Sequence, residues 1–168
     1  MIKKLPSQKR IRELFNYDPE TGKFLRRMDR GGGYRIGTEA GSLNTDGYVV
    51  ICIDGVNYRG HRIAFVYMTG KCPPEVDHVN LVRSDNRFEN LRSATRAQNR
   101  MNIPVHKNSM VGLKGVSFRK KNGYRRPYDA RIRVNGKLKH IGRFVTAEEA
   151  HAAYAVASKK FFGEFARA

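Results

Sequence analysis

Residues 75–100 read EVDHVNLVRSDNRFENLRSATRAQNR, and this stretch decides how the chain is interpreted. It has the pattern of a short strand, a polar loop, a second short strand over residues 91–94 and a helix. The helix is predicted to begin at Thr95, because Thr95 and Gln98 have the spacing of a capping box. A unit this short cannot bury a core of its own, so we expect it to pack against the segment that precedes it.

Three polar side chains in this stretch have the chemistry of a metal-dependent phosphodiesterase. Asp77 and His78 end the first strand, and Asn99 lies one turn into the helix. If the helix packs across the strand pair, Asn99 can face Asp77. A carboxylate and an amide carbonyl are hard oxygen ligands that suit Mg²⁺ or Mn²⁺. His78 has an ordinary pKa near neutrality, so it can take a proton from an attacking water.

The same stretch resembles the HNH endonuclease family in its ββα-metal form. The resemblance is carried by Asp77-His78, Asn90-Leu91 and Asn99, together with GHRIAFVYMTG at residues 60–70. It implies that His78 is the general base and that Asp77 and Asn99 are the metal ligands. It also implies that Asn90 braces the loop that holds the histidine. Asparagine instead of histidine at the third position implies one Mg²⁺ or Mn²⁺ ion and no zinc. Similar phage and intron-encoded enzymes are homing endonucleases that often nick one strand.

The last third of the chain predicts a small sheet with one helix. Three runs have strand character, GVSFRKK, YDARIRV and KLKHIGRF, and Asn135-Gly136 predicts a tight hairpin between the second and third. TAEEAHAAYAVASKKFFG then predicts a helix whose capping box is Thr146 with Glu149. In the second strand Ala130, Ile132 and Val134 alternate with arginines, so one face should be apolar and the other cationic.

This last third resembles a second family, the ethylene-response-factor (APETALA-type) DNA-binding domain. The matching elements are GVSFRK, YDARIRVNGK, HIGRFVTAEEAHAAYAVAS and FFGEFA. The resemblance implies a sheet that enters the major groove with a helix behind it. Arginine forks can bind guanine edges, and other basic side chains neutralise phosphates. The predicted DNA contacts are Lys114, Arg119, Lys121, Arg126, Arg131, Arg133 and His140, with Arg96 and Arg100 on the helix of Asn99.

Composition supports a polyanionic partner. The 168 residues contain 33 Lys and Arg against 15 Asp and Glu, a formal net charge of +18. More than half of this excess lies after residue 108. Such a charge opposes compaction by self-repulsion and is typical of nucleic-acid binding. Two cysteines can form neither a zinc-finger spacing nor a disulfide framework. Because neither a long apolar run nor a signal peptide is visible, we expect a cytoplasmic protein, in the host cytoplasm if a phage encodes it.

Together these features predict an α+β chain: a ββα-metal HNH nuclease core plus a small three-stranded antiparallel sheet packed on one helix. We expect an N-terminal region at 1–102 with its core at about 48–102, a linker at 103–111 and a DNA-binding domain at 112–168. The predicted function is a site-directed DNA endonuclease that acts as a monomer on double-stranded DNA, without a membrane or a small-molecule cofactor. Two alternatives stay open: a non-catalytic DNA-binding regulator with a degenerate nuclease core, and an RNA-binding or RNA-cleaving protein.

Overall fold

The computed structural model describes residues 5–29, 31–32, 35–105, 108–119 and 123–167. The chain divides into two compact units, Met1–Ala94 and Thr95–Ala168. Both mix helices and strands, so the predicted α+β class is confirmed. The predicted DNA contact Lys121 and the linker residue His106 lie outside the described residues.

The first unit begins with a helix and a two-stranded sheet. Helix α1 spans Gln8–Leu14, and the Ser7 hydroxyl accepts a hydrogen bond from Arg10 N at its start. Strands β1 (Phe15–Tyr17) and β2 (Phe24–Arg26) pair antiparallel. The core of this unit is built on large apolar side chains that are almost fully buried, which are Ile11, Leu14, Phe24, Ile51, Ile53 and Ile63.

The segment that precedes residues 75–100 forms a second sheet and a helix. Strands β3 (Ser42–Leu43), β4 (Val49–Ile53) and β5 (Val56–Arg59) form an antiparallel sheet in that order. Asp54 and Gly55 both have positive φ, as the primed turn of a two-residue hairpin requires. Helix α2 follows at Gly60–Thr69 and ends at Gly70 in the left-handed conformation.

The opening stretch folds as strand, loop and strand, followed by a helix. Strand β6 (Glu75–His78) pairs antiparallel with β7 (Leu91–Ala94), and a 3₁₀ turn at Phe88–Asn90 leads into β7. Helix α3 spans Arg96–Asn102, and its capping box of Thr95 with Gln98 is complete. The strands belong to the first compact unit and α3 belongs to the second.

The second unit continues from α3 into a sheet with a helix against it. Strands β8 (Val116–Phe118), β9 (Tyr128–Val134) and β10 (Lys137–Phe144) form an antiparallel sheet in the order β10-β9-β8. Helix α4 (Ala147–Phe162) packs on this sheet, and α3 packs against α4 and the 3₁₀ turn at Gly163–Phe165. The predicted division into a nuclease region ending at residue 102 and a DNA-binding domain starting at residue 112 stays a prediction. In the structure, α3 belongs to the same compact unit as the C-terminal elements.

Helix α4 is amphipathic in the predicted way, with one exception. Ala150 and Tyr154 are buried, as the helical spacing of apolar residues predicts. The same spacing predicts that Phe161 is buried, and this is wrong: Phe161 is 41% exposed, and the Lys139 ammonium lies 4.8 Å from its ring centroid. A lysine on the face of an exposed ring is a cation–π contact, which periodicity alone does not detect.

Candidate active site and nucleic-acid interface

His78 is a buried side chain that hydrogen-bonds with the side chain of Asn86. It ends β6 opposite Leu91 and is only 6% exposed. Its Nε2 lies 3.3 Å from Oδ1 of Asn86, which is itself buried. When Oδ1 accepts, Nε2 carries the proton and Nδ1 is the basic atom of the ring. Burial lowers the pKa of His78, and the hydrogen bond with Asn86 opposes this only in part, so the imidazole is neutral at neutral pH.

Asn86 is a buried contact of His78 that sequence reasoning missed. The hydroxyl of Tyr17 donates to the carbonyl oxygen of Asn86 over 2.6 Å. Gly60 leaves room for the Asn86 amide, because a Cβ there would lie 2.9 Å from Nδ2. An asparagine in a polar loop has the same sequence signature whether or not it holds a histidine. The only available signal was the glycine directly before His61, where a strand passes into a helix.

Asn90 ties the loop between β6 and β7 to the second strand. Its Oδ1 accepts from Asn80 N over 2.9 Å, and its Nδ2 donates to the carbonyl of Asp85 over 2.8 Å. The backbone carbonyl of Asn90 also accepts from Val79 N. One buried amide therefore fixes both ends of the loop that follows His78. These contacts are those expected of a brace, while a catalytic effect of Asn90 stays a prediction.

Asp77 is buried and shares its carboxylate with an arginine. Arg92, its cross-strand neighbour, donates from Nε and Nη2 to Oδ2 of Asp77 over 2.9 and 2.8 Å. Both contacts reach the same carboxylate oxygen. A carboxylate is the right donor for a hard divalent cation, so Asp77 fits that chemistry, but a cation there would have to share the group with Arg92. Sequence reasoning did not identify Arg92, since only strand register brings it opposite Asp77.

Asn99, the second predicted metal ligand, lies in the other compact unit. It is half-buried on α3, and its backbone N–H donates to Thr95 O. Its role stays a prediction from the sequence. Within the described parts of the chain, no three His, Cys, Asp or Glu side chains cluster closely enough to hold a metal ion.

A second buried histidine lies against His78. The rings of His61 and His78 are 4.7 Å apart at their centroids and meet edge to face. Among the described residues, Nδ1 of His61 has no hydrogen-bond partner. Burial, reinforced by the neighbouring His78, lowers the pKa of His61 to about 2. The sequence does not reveal that His61 lies beside His78, because only folding brings the start of α2 against the end of β6.

In the second unit three of the predicted DNA contacts converge on one buried acid. Asp129 is only 1% exposed and lies on β9. Its Oδ1 is 2.6 Å from Nε2 of His140, its Oδ2 is 2.5 Å from Nη2 of Arg131, and Nε of Arg119 is 3.7 Å from Oδ2. Burial alone would raise the pKa of Asp129, but the hydrogen bonds from Arg131 and His140 hold it below its ordinary value.

The remaining predicted contacts occupy varied environments. Arg133 is exposed and donates to Gly136 O over 2.9 Å, and Arg126, Arg96 and Arg100 are exposed. Lys114 instead donates to the carbonyl oxygens of Met101 and Ile103, which lie at the end of α3. Burial lowers the pKa of Lys114 to about 8. Lys114 therefore holds the end of α3, and whether it also contacts DNA stays a prediction.

Comparison with known proteins agrees with this geometry at residues 58–101. This stretch matches the family model described as HNH endonuclease. The match includes His61, Asp77, His78, Asn90 and Asn99. Residues 58–101 are therefore similar to HNH endonucleases.

A similar protein of Acanthamoeba polyphaga mimivirus is described as an uncharacterized HNH endonuclease. It is 33% identical over 109 residues, which are 63% of this chain and 54% of the mimivirus protein. The chain thus spans about half the length of that relative. No solved structure gave a significant match. Among the described residues, no helix is both long and apolar enough to cross a membrane.

The buried histidine pair predicts that acid destabilises the chain. Below about pH 6.5 an unfolded histidine binds a proton, whereas folded His61 stays neutral until the pH approaches its lowered pKa. The unfolded state then binds more protons, so the free energy of unfolding falls as pH drops, by up to about 1.4 kcal/mol per pH unit for one histidine. The free energy of unfolding, measured with urea between pH 6.5 and 4.5, should fall more steeply with acid for the wild type than for His61→Gln.

The control for this measurement is His151→Gln, which replaces a histidine on α4 in the other unit. It should keep the wild-type dependence on pH. If His61→Gln loses stability with acid as steeply as the wild type does, His61 is not the group that resists protonation.

Proposed function

We propose that the chain is a metal-dependent DNA endonuclease of the homing type that nicks duplex DNA, with His78 as its general base. One observation carries the proposal: a buried, neutral histidine, fixed by Asn86 and next to Asp77, lies inside the stretch that matches the HNH endonuclease family. Fixed orientation and a neutral ring at neutral pH are what a general base requires.

The proposed reaction is hydrolysis of one phosphodiester bond. Nδ1 of His78 takes a proton from a water, the water oxygen bonds to phosphorus, and the bond from phosphorus to the 3′ oxygen breaks. The departing 3′ oxygen takes a proton from solvent, and the products are a 5′-phosphate and a 3′-hydroxyl. Asn86 keeps Nε2 protonated and so leaves the lone pair on Nδ1. Asn90 contributes by fixing the loop that follows His78, and this makes it a positioning residue.

Asp77 is the proposed metal ligand in the first unit, with Mg²⁺ or Mn²⁺ as the ion. A bound divalent cation would stabilise negative charge on the phosphoryl group and on the leaving oxygen. Asn99 is proposed as a further ligand on the sequence resemblance alone. Both residues offer oxygen donors, which suit a hard cation better than zinc.

The C-terminal sheet is the proposed DNA-reading surface, as its resemblance to the ethylene-response-factor domain suggests. The support is its charge: Arg131 and Arg133 alternate with the buried Ala130 and Ile132, so the arginines share one exposed face of β9. The carboxylate of Asp129 holds Arg131 in one orientation. An oriented arginine fork can read a guanine edge, while freely moving basic side chains bind phosphates without preference. The proposed partner is double-stranded DNA, bound by a monomer.

One observation favours a second function, that of a DNA-binding regulator without catalysis. The ion pair with Arg92 already compensates the charge of Asp77. If that pair persists on DNA, Asp77 is part of the fold and holds no metal. The two functions make opposite predictions for cleavage and the same prediction for binding.

Plasmid nicking separates these functions. Supercoiled plasmid is incubated with the full chain in Mg²⁺, in Mn²⁺ and in EDTA. The endonuclease should convert supercoils to open circles only when metal is present. Loss of a general base typically costs 10² to 10⁴ in rate, so His78→Ala should slow nicking by about 1,000-fold, whereas His151→Ala should nick like the wild type.

Each result of the plasmid experiment has a defined meaning. Linear product at early times would indicate paired cuts and would contradict nicking by a monomer. Plasmid binding without cleavage in either metal would contradict the endonuclease and favour the regulator.

The role of Asp129 is tested by the sequence preference of binding. Asp129→Asn releases Arg131 and His140, so discrimination between a duplex selected from a random library and a scrambled duplex should fall by about tenfold, the order of one base contact. Affinity for the scrambled duplex should not fall, because the chain gains positive charge. Glu148→Gln, on α4, makes the same change in charge and should keep the preference. Equal discrimination by Asp129→Asn and the wild type would show that Asp129 does not orient the reading face.

A further inference from the structure

Tyr48 connects both buried histidines to two exposed arginines. Its ring centroid lies 5.3 Å from that of His61 and 6.1 Å from that of His78. On the same ring lie the guanidinium groups of Arg59, at 4.2 Å from the centroid, and Arg83, at 5.1 Å. All five residues belong to the first compact unit. Two cations and both buried histidines are thus neighbours of one tyrosine ring.

The charges of these arginines reach the histidines. Arg83 lowers the pKa of His78, although burial is the main cause, and Arg59 does the same to His61. In the part of the chain that the structure describes, neither arginine pairs with a carboxylate, and Arg83 donates to the backbone carbonyl of Asp46. Because no acidic side chain of the described residues offsets either cation, each guanidinium is suited to an anion placed beside it.

The arginines keep N–H donors that a phosphate could use. Each guanidinium carbon lies over the Tyr48 ring, and a guanidinium has five N–H donors, of which the Asp46 carbonyl takes one from Arg83. A guanidinium edge matches two oxygens of a phosphate group, and such charge-assisted bonds are about twice as strong as neutral ones. A stacked arginine has already lost much of its rotamer freedom, so less entropy remains to be lost when an anion binds.

We propose that Arg59 and Arg83, stacked on Tyr48, form a subsite for a backbone phosphate of DNA beside His78. The subsite deepens the proposed endonuclease function and rests on it. Its role is to place the sugar-phosphate backbone within reach of His78 and to offset negative charge on the phosphate as the bond breaks. Sequence reasoning could not find it, because Arg59 ends a hairpin strand and Arg83 lies in a polar loop, and only folding brings both to Tyr48.

A purely structural reading of the same contacts predicts something different. Exposed cation–π contacts are worth about 0.5–1 kcal/mol each, so the arginines could serve only to fasten the hairpin and loop. Replacing either would then lower stability slightly and leave the ionic-strength dependence of DNA binding unchanged. Arg12 provides the matched control, since its guanidinium lies 5.1 Å from the ring centroid of Tyr67 in the same unit.

The test measures duplex DNA binding by the full chain in EDTA, across a range of salt concentrations, for Arg59→Gln, Arg83→Gln and Arg12→Gln. Each phosphate contact contributes about 0.9 to the slope of log affinity against log salt. Arg59→Gln and Arg83→Gln should each reduce the slope by about one contact, while Arg12→Gln keeps it. With metal added, each of the first two should slow plasmid nicking by about 100-fold. Thermal unfolding of all three variants identifies any loss that comes from the fold.

The outcomes distinguish this proposal from the endonuclease itself. If Arg59→Gln and Arg83→Gln both show the same salt slope as Arg12→Gln, the subsite is overturned, even if the wild type nicks DNA. A reduced slope would support the subsite, and if the wild type bound DNA without cutting it, only the endonuclease function would fail. If nicking falls only in proportion to thermal stability, and the slope of log affinity against log salt is unchanged, both arginines serve only to stabilise the fold.

Discussion

The hydrogen bond between His78 and Asn86 is the contact on which the proposed chemistry depends. It fixes the ring of His78 and selects the tautomer with its basic nitrogen at Nδ1. Two further contacts in the first unit hold Asn86. Tyr17 donates to the Asn86 backbone carbonyl, and Gly60 leaves space for the Asn86 amide. Removing Asn86 would leave a buried imidazole nitrogen without its partner, which typically costs about 1–3 kcal/mol. A fold with this contact has a rigid, neutral histidine at the end of a strand.

Each compact unit uses a buried carboxylate to orient arginine in a chain of large positive charge. In the first unit Asp77 holds Arg92 across the β6–β7 pair, and in the second Asp129 holds Arg131 together with His140. A buried carboxylate is tolerated only when such partners compensate its loss of hydration. The few acidic residues of the chain are therefore informative. They show which basic side chains are fixed by a carboxylate, whereas Arg59 and Arg83 are held over the ring of Tyr48 instead.

The elements predicted from local patterns agree with the structure. Asp54-Gly55 and Asn135-Gly136 mark the hairpins, and the capping boxes at Thr95 and Thr146 start their helices. These features depend on residues a few positions apart, so their physics is visible in sequence. The partners of the site are different. Asn86, Arg92 and Tyr48 reach the histidines or Asp77 only through strand register and packing, which no local pattern encodes.

Only some residues of the candidate site could be predicted from the sequence. Asp77, His78 and Asn90 were predicted as site residues because their spacing resembles a known family, and their burial and contacts could not be inferred from that spacing. The exposed position of Phe161 illustrates the converse, because a helical repeat indicates which residues share a face and not how far the packing extends along it. The sequence also could not predict that Asp129 contacts Arg119, Arg131 and His140, because these contacts depend on the register of the sheet.

Chemical rescue of His78→Ala tests the central claim most directly. Single-turnover nicking by this variant is measured with and without added imidazole, beside Asn86→Ala and the wild type. If His78 is the general base, imidazole should restore a measurable part of the rate to His78→Ala, and the restored rate should rise with the concentration of neutral imidazole. The wild type should not respond. A folded His78→Ala variant that nicks at the wild-type rate, or that stays inactive at every imidazole concentration, would contradict the account.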